Sequence, residues 1–176
     1  AGLPGERLGI AIGDADIIRA LECFQTNLCI HSSRYGQAIA ARAIASGALA
    51  LASETVIRSY YHQKFQVLET ALDAAMPQDV PWYLHLGEGA IFAWLWFDQL
   101  PCTDQELYQQ LKQRQVIVVP GNAFFPGIRE DWAHTRQCIR ISLTASDEDI
   151  TTAMGRLAEL VGEVYQRQSI PAAATV

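Results

Sequence analysis

A long stretch of helical spacing constrains the fold of this chain more than any other feature. Large apolar and aromatic side chains recur between residues 51 and 72 at intervals close to those of one helix face. They are Leu51, Val56, Tyr60, Phe65, Val67, Leu68 and Leu72. Pro77 and Pro81 end the pattern, because proline lacks the N–H that a helix needs. The spacing therefore predicts one long helix within 51–80.

The segment upstream of this helix begins with a glycine–proline turn. Gly2-Leu3-Pro4-Gly5-Glu6-Arg7 stands directly ahead of an apolar run, so a strand is predicted from Arg7 to Gly13. Acidic residues within 14–16 favour the start of a helix there, because they stabilise its N-terminal dipole. A second short apolar piece, Leu28 to His31, precedes an alanine-rich helix that is predicted to begin near Gln37.

Downstream of the long helix, short extended and helical patterns predict a smaller α+β unit. The predicted strands are 82–86, 90–97, 116–119 and 137–143. A helix is predicted over 104–113 with Thr103 as its N-cap, and a closing helix from Ser146, which has capping-box spacing to Asp149. The closing helix is predicted to bury Ile150, Met154, Leu157, Leu160, Val161 and Val164. Residues 171–176 are predicted to form a tail, and the fold class is α/β.

Composition excludes several classes of protein. Half of the residues are hydrophobic and 18% are charged, which is typical of a folded protein rather than a disordered one. The net charge of −6 leaves no basic surface, so nucleic acid is not an expected partner. The longest apolar stretch, 38–52, contains Arg42 and Ser46 and is shorter than the roughly 20 residues of a membrane span. No membrane is expected either.

The four cysteines indicate neither a metal site nor a redox pair. Cys23, Cys29, Cys102 and Cys138 form no CxxC motif and no cluster with histidine. Two disulfides remain an open alternative, but a chain with this much apolar surface does not need them. We predict reduced, buried thiols, no metal, and a cytoplasmic protein.

Several stretches together resemble a known family. Besides the turn at 2–7, they are Ser53-Glu54-Thr55-Val56-Ile57-Arg58, residues 87–97, residues 118–127 and His134-Thr135-Arg136-Gln137-Cys138-Ile139-Arg140-Ile141-Ser142. Almost the whole chain, to about Arg167, resembles the carboxyl-terminal part of the fold-type I pyridoxal-phosphate-dependent aminotransferases. Within that superfamily, 124–127 and 134–138 are most similar to the valine–pyruvate aminotransferases.

The resemblance implies a domain organisation. Residues 1–50 would end the large cofactor-binding domain, 51–80 would form the interdomain helix, and 81–170 would be the small carboxyl-terminal domain. The loop at Ser33, Arg34 and Tyr35 would reach the partner subunit's cofactor site in a homodimer. An ordinary loop with a capping serine is the open alternative.

One departure from the family pattern concerns the lysine that carries the cofactor. That lysine would lie immediately before the position of Ala1, and the aspartate that pairs with the pyridine nitrogen would lie further upstream. The sequence contains only Lys64 and Lys112, both interpreted as solvated surface lysines. No catalytic residue is therefore predicted within this chain, which should be inactive without an amino-terminal half as its partner.

Two arginines carry the predicted binding chemistry. Arg7 ends the first turn, and the resemblance makes it the ligand of the cofactor phosphate. Arg140 stands between Ile139 and Ile141 on a predicted strand, so its side chain faces away from both. A planar fork of donors suits a carboxylate, and the resemblance makes Arg140 the residue that binds the substrate α-carboxylate.

The remaining aromatic residues and His134 have less specific roles. Phe124, beside Phe125 in a proline–glycine loop, is a candidate wall for a small branched side chain, with plain structure as an equal alternative. Phe92, Trp94 and Trp96 share one strand face, and together with Phe97 they are predicted to pack in the core. Direct contact with the substrate is the open alternative, because the resemblance places residues 87–92 near the mouth of the site. His134 is interpreted as structural.

The function implied by the resemblance is transamination with pyridoxal 5'-phosphate. An amino group would move between a small aliphatic amino acid, such as valine or alanine, and a keto acid, such as pyruvate or 2-oxoisovalerate. A ligand-sensing module, such as the aminotransferase-like half of a regulator, is the alternative from another class. A lyase or racemase is a further alternative, because each of these would also need an arginine for the carboxylate.

Overall fold

A computed structural model of the chain describes residues 8–87 and 89–169. Backbone contacts divide it into two compact units, with the boundary between Ser59 and Tyr60. The mixture of helices and sheet agrees with the predicted α/β class. The division at 50 and 80 that the resemblance implies stays a prediction, and the predicted tail and Arg7 lie outside the described residues.

The first unit is helical. It contains α1 (Ala15–Cys29), α2 (Arg34–Ala45), α3 (Ala48–Ala52) and a π-helical turn (Ser53–Ile57). The predicted start of α1 is confirmed, with Asp14 at its N-cap. Ser33 caps α2, since its Oγ accepts from the Gly36 N–H at 3.2 Å. This cap starts the helix at Arg34, three residues before the predicted start.

The strand predicted from Arg7 to Gly13 is absent from the described residues of this unit, and the second apolar piece, Leu28 to His31, begins inside a helix. Residues 8–13 have no regular secondary structure, and Leu28 and Cys29 form the last turn of α1. An apolar run becomes a strand only when a neighbouring strand pairs with its N–H and C=O groups. Within 8–87 and 89–169, no strand pairs with residues 8–13. The apolar pattern of residues 8–13 alone was therefore insufficient to predict a strand.

The second unit is built around an antiparallel sheet. Its elements are α4 (Arg58–Ala75), β1 (Trp82–Leu84), β2 (Phe92–Phe97), α5 (Asp104–Gln113), β3 (Val119–Pro120), β4 (Cys138–Ser142) and α6 (Asp147–Ser169). Two short 3₁₀ turns cover Gly121–Phe124 and Ala133–Arg136. The strand order is β1-β2-β4-β3, and each neighbouring pair is antiparallel. The long helix is confirmed as far as Ala75, apart from the π-helical turn.

One face of this sheet packs on the helices and forms the core. Ala93, Leu95 and Phe97 of β2 lie there together with Ile139 and Ile141 of β4. The helices contribute Leu68, Leu72, Leu107 and Leu111, and the predicted stripe of α6 is buried in full. Burial of one such side chain stabilises the fold by about 1.5–3 kcal/mol, so this layer fixes where the sheet lies.

The predicted caps of α5 and α6 are present. Thr103 Oγ1 accepts from the Glu106 N–H at 3.2 Å, and Glu106 Oε2 accepts from the Thr103 N–H at 2.8 Å. These two bonds form a complete capping box. The Thr103 N–H and, less strongly, the Thr103 hydroxyl donate to the Glu106 carboxylate and so lower the pKa of Glu106. At α6, Ser146 Oγ accepts from the Asp149 N–H at 3.0 Å.

The interpretation of Lys64 as a solvated lysine is wrong, whereas Lys112 is exposed as expected. Lys64 Nζ donates to the Ala145 carbonyl oxygen at 2.7 Å and lies 2.6 Å from Asp147 Oδ1. The hydrogen bond with Asp147 is the main reason that the pKa of Lys64 is raised. A lysine on an apolar helix face can be buried when its ammonium finds such acceptors, which the sequence pattern does not reveal.

An ion pair between α5 and α6 makes the stability of the chain sensitive to acid. Arg114 donates to both carboxylate oxygens of Glu163 at 2.7 and 2.8 Å, which lowers the pKa of Glu163 below 4.5. The pair stabilises the fold above pH 4.5, and its contribution is lost as the pH falls through the lowered pKa. In urea unfolding from about pH 3 to about pH 7, Glu163→Gln should flatten the fall in stability below 4.5. Glu130→Gln, on an exposed loop, should leave the profile unchanged; equal profiles for both variants would contradict this.

No single helix among the described residues is long and apolar enough to cross a membrane. Residues 34–45 and 48–75 reach that length and composition only as a pair bent by 82°.

Candidate functional site

The face of the sheet opposite the core carries the aromatic side chains of β2. Phe92, Trp94 and Trp96 alternate with the buried Ala93, Leu95 and Phe97 and are themselves half-buried or exposed. The prediction that they pack in the core is therefore wrong. Ala93, Leu95 and Phe97 pack against the helices. Because side chains alternate along a strand, Phe92, Trp94 and Trp96 lie on the outer face of the sheet.

These side chains belong to a continuous layer of rings, which we call the aromatic layer. Its members are Tyr83, Trp94, Trp96, Phe124, Phe125, Trp132 and His134, and Phe92 is joined to them through Arg140. Trp94 contacts Phe124 edge-to-face at 5.5 Å between ring centroids. His134 stacks on Trp132 at 4.7 Å and contacts Trp96 at 4.9 Å, which agrees with a structural role for this histidine. Edge-to-face and offset pairs of this kind are the favoured ring geometries.

Arg140 lies within this layer, where the alternation of β4 predicted it. Ile139 and Ile141 are buried on the core face, and Arg140 lies opposite Trp94 on the other face. The guanidinium carbon is 4.1 Å from the centroid of the Phe92 ring and 4.8 Å from that of Phe124. Two rings therefore hold the cation, each through a favourable electrostatic contact.

The guanidinium of Arg140 retains capacity to bind an anion. Its Nε is buried and has no hydrogen-bond partner. Within the part of the chain that the structure describes, no carboxylate lies within ion-pairing distance of Arg140. A buried donor without a partner costs about 1–3 kcal/mol, so a bound carboxylate would relieve that cost. Arg140 is consequently the candidate anion-binding group of the described site, and its role stays a prediction.

A short 3₁₀ turn places Phe124 beside Arg140. Gly121 begins the turn so close to β4 that an added Cβ would lie 2.6 Å from Cys138 Cβ. Asn122 donates its backbone N–H to Asp104 Oδ2 at 2.7 Å. Phe124 remains partly exposed next to Arg140, which is compatible with its predicted role as a wall of the site.

The predicted cross-subunit residues lie in the first unit. Ser33 has the capping role of the open alternative, while Arg34 and Tyr35 are exposed at the start of α2. Their contact with a partner subunit stays a prediction.

The four thiols are free, but they are not all buried as predicted. Cys23 and Cys29 are exposed, Cys102 is half-buried and Cys138 is buried. The exposed pair lies on α1, whose residues are all accessible in this chain. Cys138 packs under the aromatic layer, with its Sγ 3.5 Å from His134 Nε2. Burial raises the pKa of Cys138, and that of Cys102, to about 11.

Alkylation should follow this order of burial. At pH 8 a thiol of pKa about 11 is only about 0.1% thiolate, the reactive form. We expect iodoacetamide to modify Cys23 and Cys29 first and Cys138 last, as measured by peptide mass spectrometry over time. Denaturant should make all four react alike. Modification of Cys138 at the rate of Cys23 in the folded chain would contradict the described burial.

Sequence reasoning missed two residues of this site. Phe92 was assigned to the core, although its alternation with Ala93 showed only that the two lie on opposite faces. Asp104 gave no signal beyond that of an acid in the first turn of a helix, and its contact with Asn122 spans 18 residues of sequence. The contact of Phe92 with Arg140 and that of Asp104 with Asn122 both depend on packing between distant segments.

The aminotransferase class I and II family model matches residues 1–157. This chain belongs to the class I and II aminotransferase family. Valine–pyruvate aminotransferase from Escherichia coli is 39% identical over 164 residues, which make up 93% of this chain and 39% of that protein. The structure of valine–pyruvate aminotransferase from Salmonella typhimurium LT2 matches with a TM-score of 0.76 at 36% identity, covering 94% of this chain and 42% of that one.

Kynurenine aminotransferase from Pyrococcus horikoshii is a more distant structural relative. Its TM-score is 0.68 at 26% identity, over 91% of this chain and 38% of that one. This aminotransferase chain therefore spans about two fifths of the length of the relatives it matches. The predicted resemblance to fold-type I aminotransferases is confirmed.

Class I and II aminotransferases depend on pyridoxal phosphate, which forms a covalent bond with a lysine. Neither lysine of this aminotransferase chain fits that bond. The ammonium of Lys64 is held by Ala145 and Asp147, and Lys112 is exposed on α5. The described residues fit the binding of a carboxylate and not the attachment of the cofactor.

Proposed function

We propose that this chain is the downstream part of a pyridoxal-phosphate-dependent aminotransferase. In this proposal residues 1–50 end the large domain, 51–80 connect the domains and 81–170 form the small domain. The substrates would be a small aliphatic amino acid, valine or alanine, and a keto acid, pyruvate or 2-oxoisovalerate. The observation that carries the proposal is Arg140, whose guanidinium contacts two rings and has a buried, unpartnered Nε.

Each described residue of the site has a binding role in this proposal. Arg140 binds the α-carboxylate that amino acid and keto acid share, and its two neighbouring rings fix the plane of the guanidinium. Phe124 and Trp94 offer apolar surface beside the carboxylate, which suits a small aliphatic side chain and excludes water. When bound, pyridoxal phosphate supplies the electron-withdrawing ring that allows the amino group to change carriers.

The identity of the substrates is supported by similarity. The Escherichia coli and Salmonella relatives are both valine–pyruvate aminotransferases, and the match to each covers more than nine tenths of this chain. Arg140 alone does not distinguish amino acids, because every α-amino acid has the same carboxylate. The specific substrates therefore depend on the groups around Phe124 and on parts of the protein beyond this chain.

A chimera tests the proposal. This chain would replace the matching region of the Escherichia coli relative, so that the relative supplies everything upstream. We expect the chimera to transfer an amino group from valine to pyruvate and from alanine to 2-oxoisovalerate, and the chain alone to transfer none. Product analysis by chromatography separates transfer from elimination and racemisation. A chimera that binds the cofactor but yields ammonia or the D-amino acid would overturn the proposed function.

The proposal includes a homodimer, to whose shared site Ser33, Arg34 and Tyr35 would contribute. Light scattering gives the mass of the chimera in solution. Twice the mass of one chain would support the dimer, and a monomer with full transferase activity would overturn it.

A further inference from the structure

Asp104 is a buried acidic residue that the proposed function does not yet use. It is the first residue of α5, and only 1% of its surface is exposed. Thr103 and Glu106 already cap the helix, so Asp104 is not needed for that purpose. Its Oδ1 accepts from the Gln105 N–H at 3.0 Å, and its Oδ2 accepts from the Asn122 N–H at 2.7 Å.

The bond to Asn122 holds the 3₁₀ turn Gly121–Phe124 against α5. Gln105 Nε2 donates to Asn122 Oδ1 at 3.0 Å, so two consecutive residues of α5 hold the same asparagine. On its other side the turn is pressed against β4, where Gly121 leaves no space for a Cβ beside Cys138. The position of the turn is therefore determined from both α5 and β4.

Phe124 is the last residue of this turn and lies two positions beyond Asn122. Its ring contacts the Arg140 guanidinium at 4.8 Å, and the Phe92 ring contacts it at 4.1 Å, each measured from the guanidinium carbon to the ring centroid. Phe92 is fixed by the pairing of β2 with β4, whereas Phe124 depends on the turn. A shift of the turn would therefore move one of the two rings that hold the arginine.

We propose that Asp104 is a positioning residue for the substrate-carboxylate site, because its bond to Asn122 holds Phe124 against Arg140. The inference rests on the proposed function for its effect on catalysis, and on the described contacts alone for its effect on Arg140. Asp104 itself does not touch the substrate. It acts through Asn122, the 3₁₀ turn and the Phe124 ring.

The first test measures the position of the ring in this chain without any cofactor. Ring currents from Phe92 and Phe124 should shift the Arg140 Hε resonance in the NMR spectrum of the labelled chain. Asp104→Ala should remove about as much of that shift as Phe124→Ala does. Asp104→Asn keeps an oxygen that can accept from Asn122 and should restore it. Thr103→Ala weakens the same end of α5 without touching Asn122 and should leave the shift unchanged.

The second test measures the consequence for binding in the chimera. Isovalerate has the carboxylate and branched chain of valine but no amino group, so it serves as an unreactive probe. Asp104→Ala should raise the Kd for isovalerate and the KM for 2-oxoisovalerate about five- to tenfold, as expected for the loss of one ring contact to a cation, with kcat within about twofold. In a Phe124→Ala background the same change should have no further effect.

The outcomes separate this inference from the proposed function. If the Arg140 resonance keeps its shift in Asp104→Ala, or if Asp104→Ala weakens binding equally in the Phe124→Ala background, the positioning role is overturned while the transferase function stands. If Arg140→Ala leaves isovalerate binding unchanged, the carboxylate site is wrong, whatever the resonance shows. A loss of shift together with a rise in Kd, both restored by Asp104→Asn, supports the inference.

Discussion

Arg140→Ala in the chimera is expected to raise the KM for pyruvate and 2-oxoisovalerate by a hundredfold or more. A hydrogen bond to a charged group contributes about 1.5–3 kcal/mol, and a bidentate contact contains two of them. A loss of about 3 kcal/mol corresponds to about a hundredfold weaker binding. Arg140→Lys should recover only part of the loss, because an ammonium is a point charge without the planar fork.

Steady-state kinetics with varied keto acid measure this effect. Arg136→Lys is the matched control, since Arg136 lies four residues earlier, is half-exposed and pairs with Asp131 at 2.6 Å. We expect its KM to stay within about twofold of the unsubstituted chimera, as is usual for an exposed ion pair. A similar KM for Arg140→Lys and Arg136→Lys, with no further rise in Arg140→Ala, would show that the carboxylate binds elsewhere.

The elements predicted well from sequence are those whose signals are local. The bounds of α5 were predicted at 104–113 as found, because the Thr103 capping box marks its start and apolar spacing marks its buried face. The buried stripe of α6 was predicted in full for the same reason. In both helices, the capping residues and the apolar spacing belong to the helix itself, so the helix can be predicted without knowing the rest of the fold.

The predictions that failed depend on contacts between distant segments. Residues 8–13 have the apolar character of a strand, but a strand also needs a neighbour that accepts its hydrogen bonds. Lys64 has the sequence context of a surface lysine, yet it is bonded to Ala145, 81 residues away. The alternation of β2 correctly separated Phe92 from Ala93, but it does not say which face the helices cover.

The candidate site shows the same division. The position of Arg140 on the outer face of the sheet was predicted correctly from its alternation with Ile139 and Ile141, while its binding role, which the family resemblance implies, stays a prediction. Phe124 was named as a candidate wall of the site and Phe92 was assigned to the core, but no contact of either ring with Arg140 was predicted, since Phe92 is 48 residues away and Phe124 is 16 residues away. A sequence pattern thus placed the candidate binding group, and only the packing showed which rings contact it.

Gly121→Ala is expected to destabilise the chain by about 2–3 kcal/mol, although it adds a single methyl group. The new Cβ would lie 2.6 Å from both the Cβ and the carbonyl oxygen of Cys138. Neither is the end of a flexible side chain, so the turn or β4 must move, and overpacking of this kind typically costs about 1–3 kcal/mol. The movement should also displace Phe124 from Arg140. Urea unfolding measures the first effect, and the Arg140 Hε resonance measures the second.

Gly155→Ala is the matched control, and its effect on the free energy of unfolding should have the opposite sign. Gly155 lies in the interior of α6, and no neighbouring atom outside its own helix turn lies within 4 Å of an added Cβ. Alanine should therefore stabilise α6 by about 0.5–1 kcal/mol, because glycine loses more backbone freedom in a helix. If Gly121→Ala were as stable as the unsubstituted chain, the turn would not be seated on β4. The position of Phe124 would then depend on the contact of the turn with α5, through Asp104, and no longer on its contact with β4.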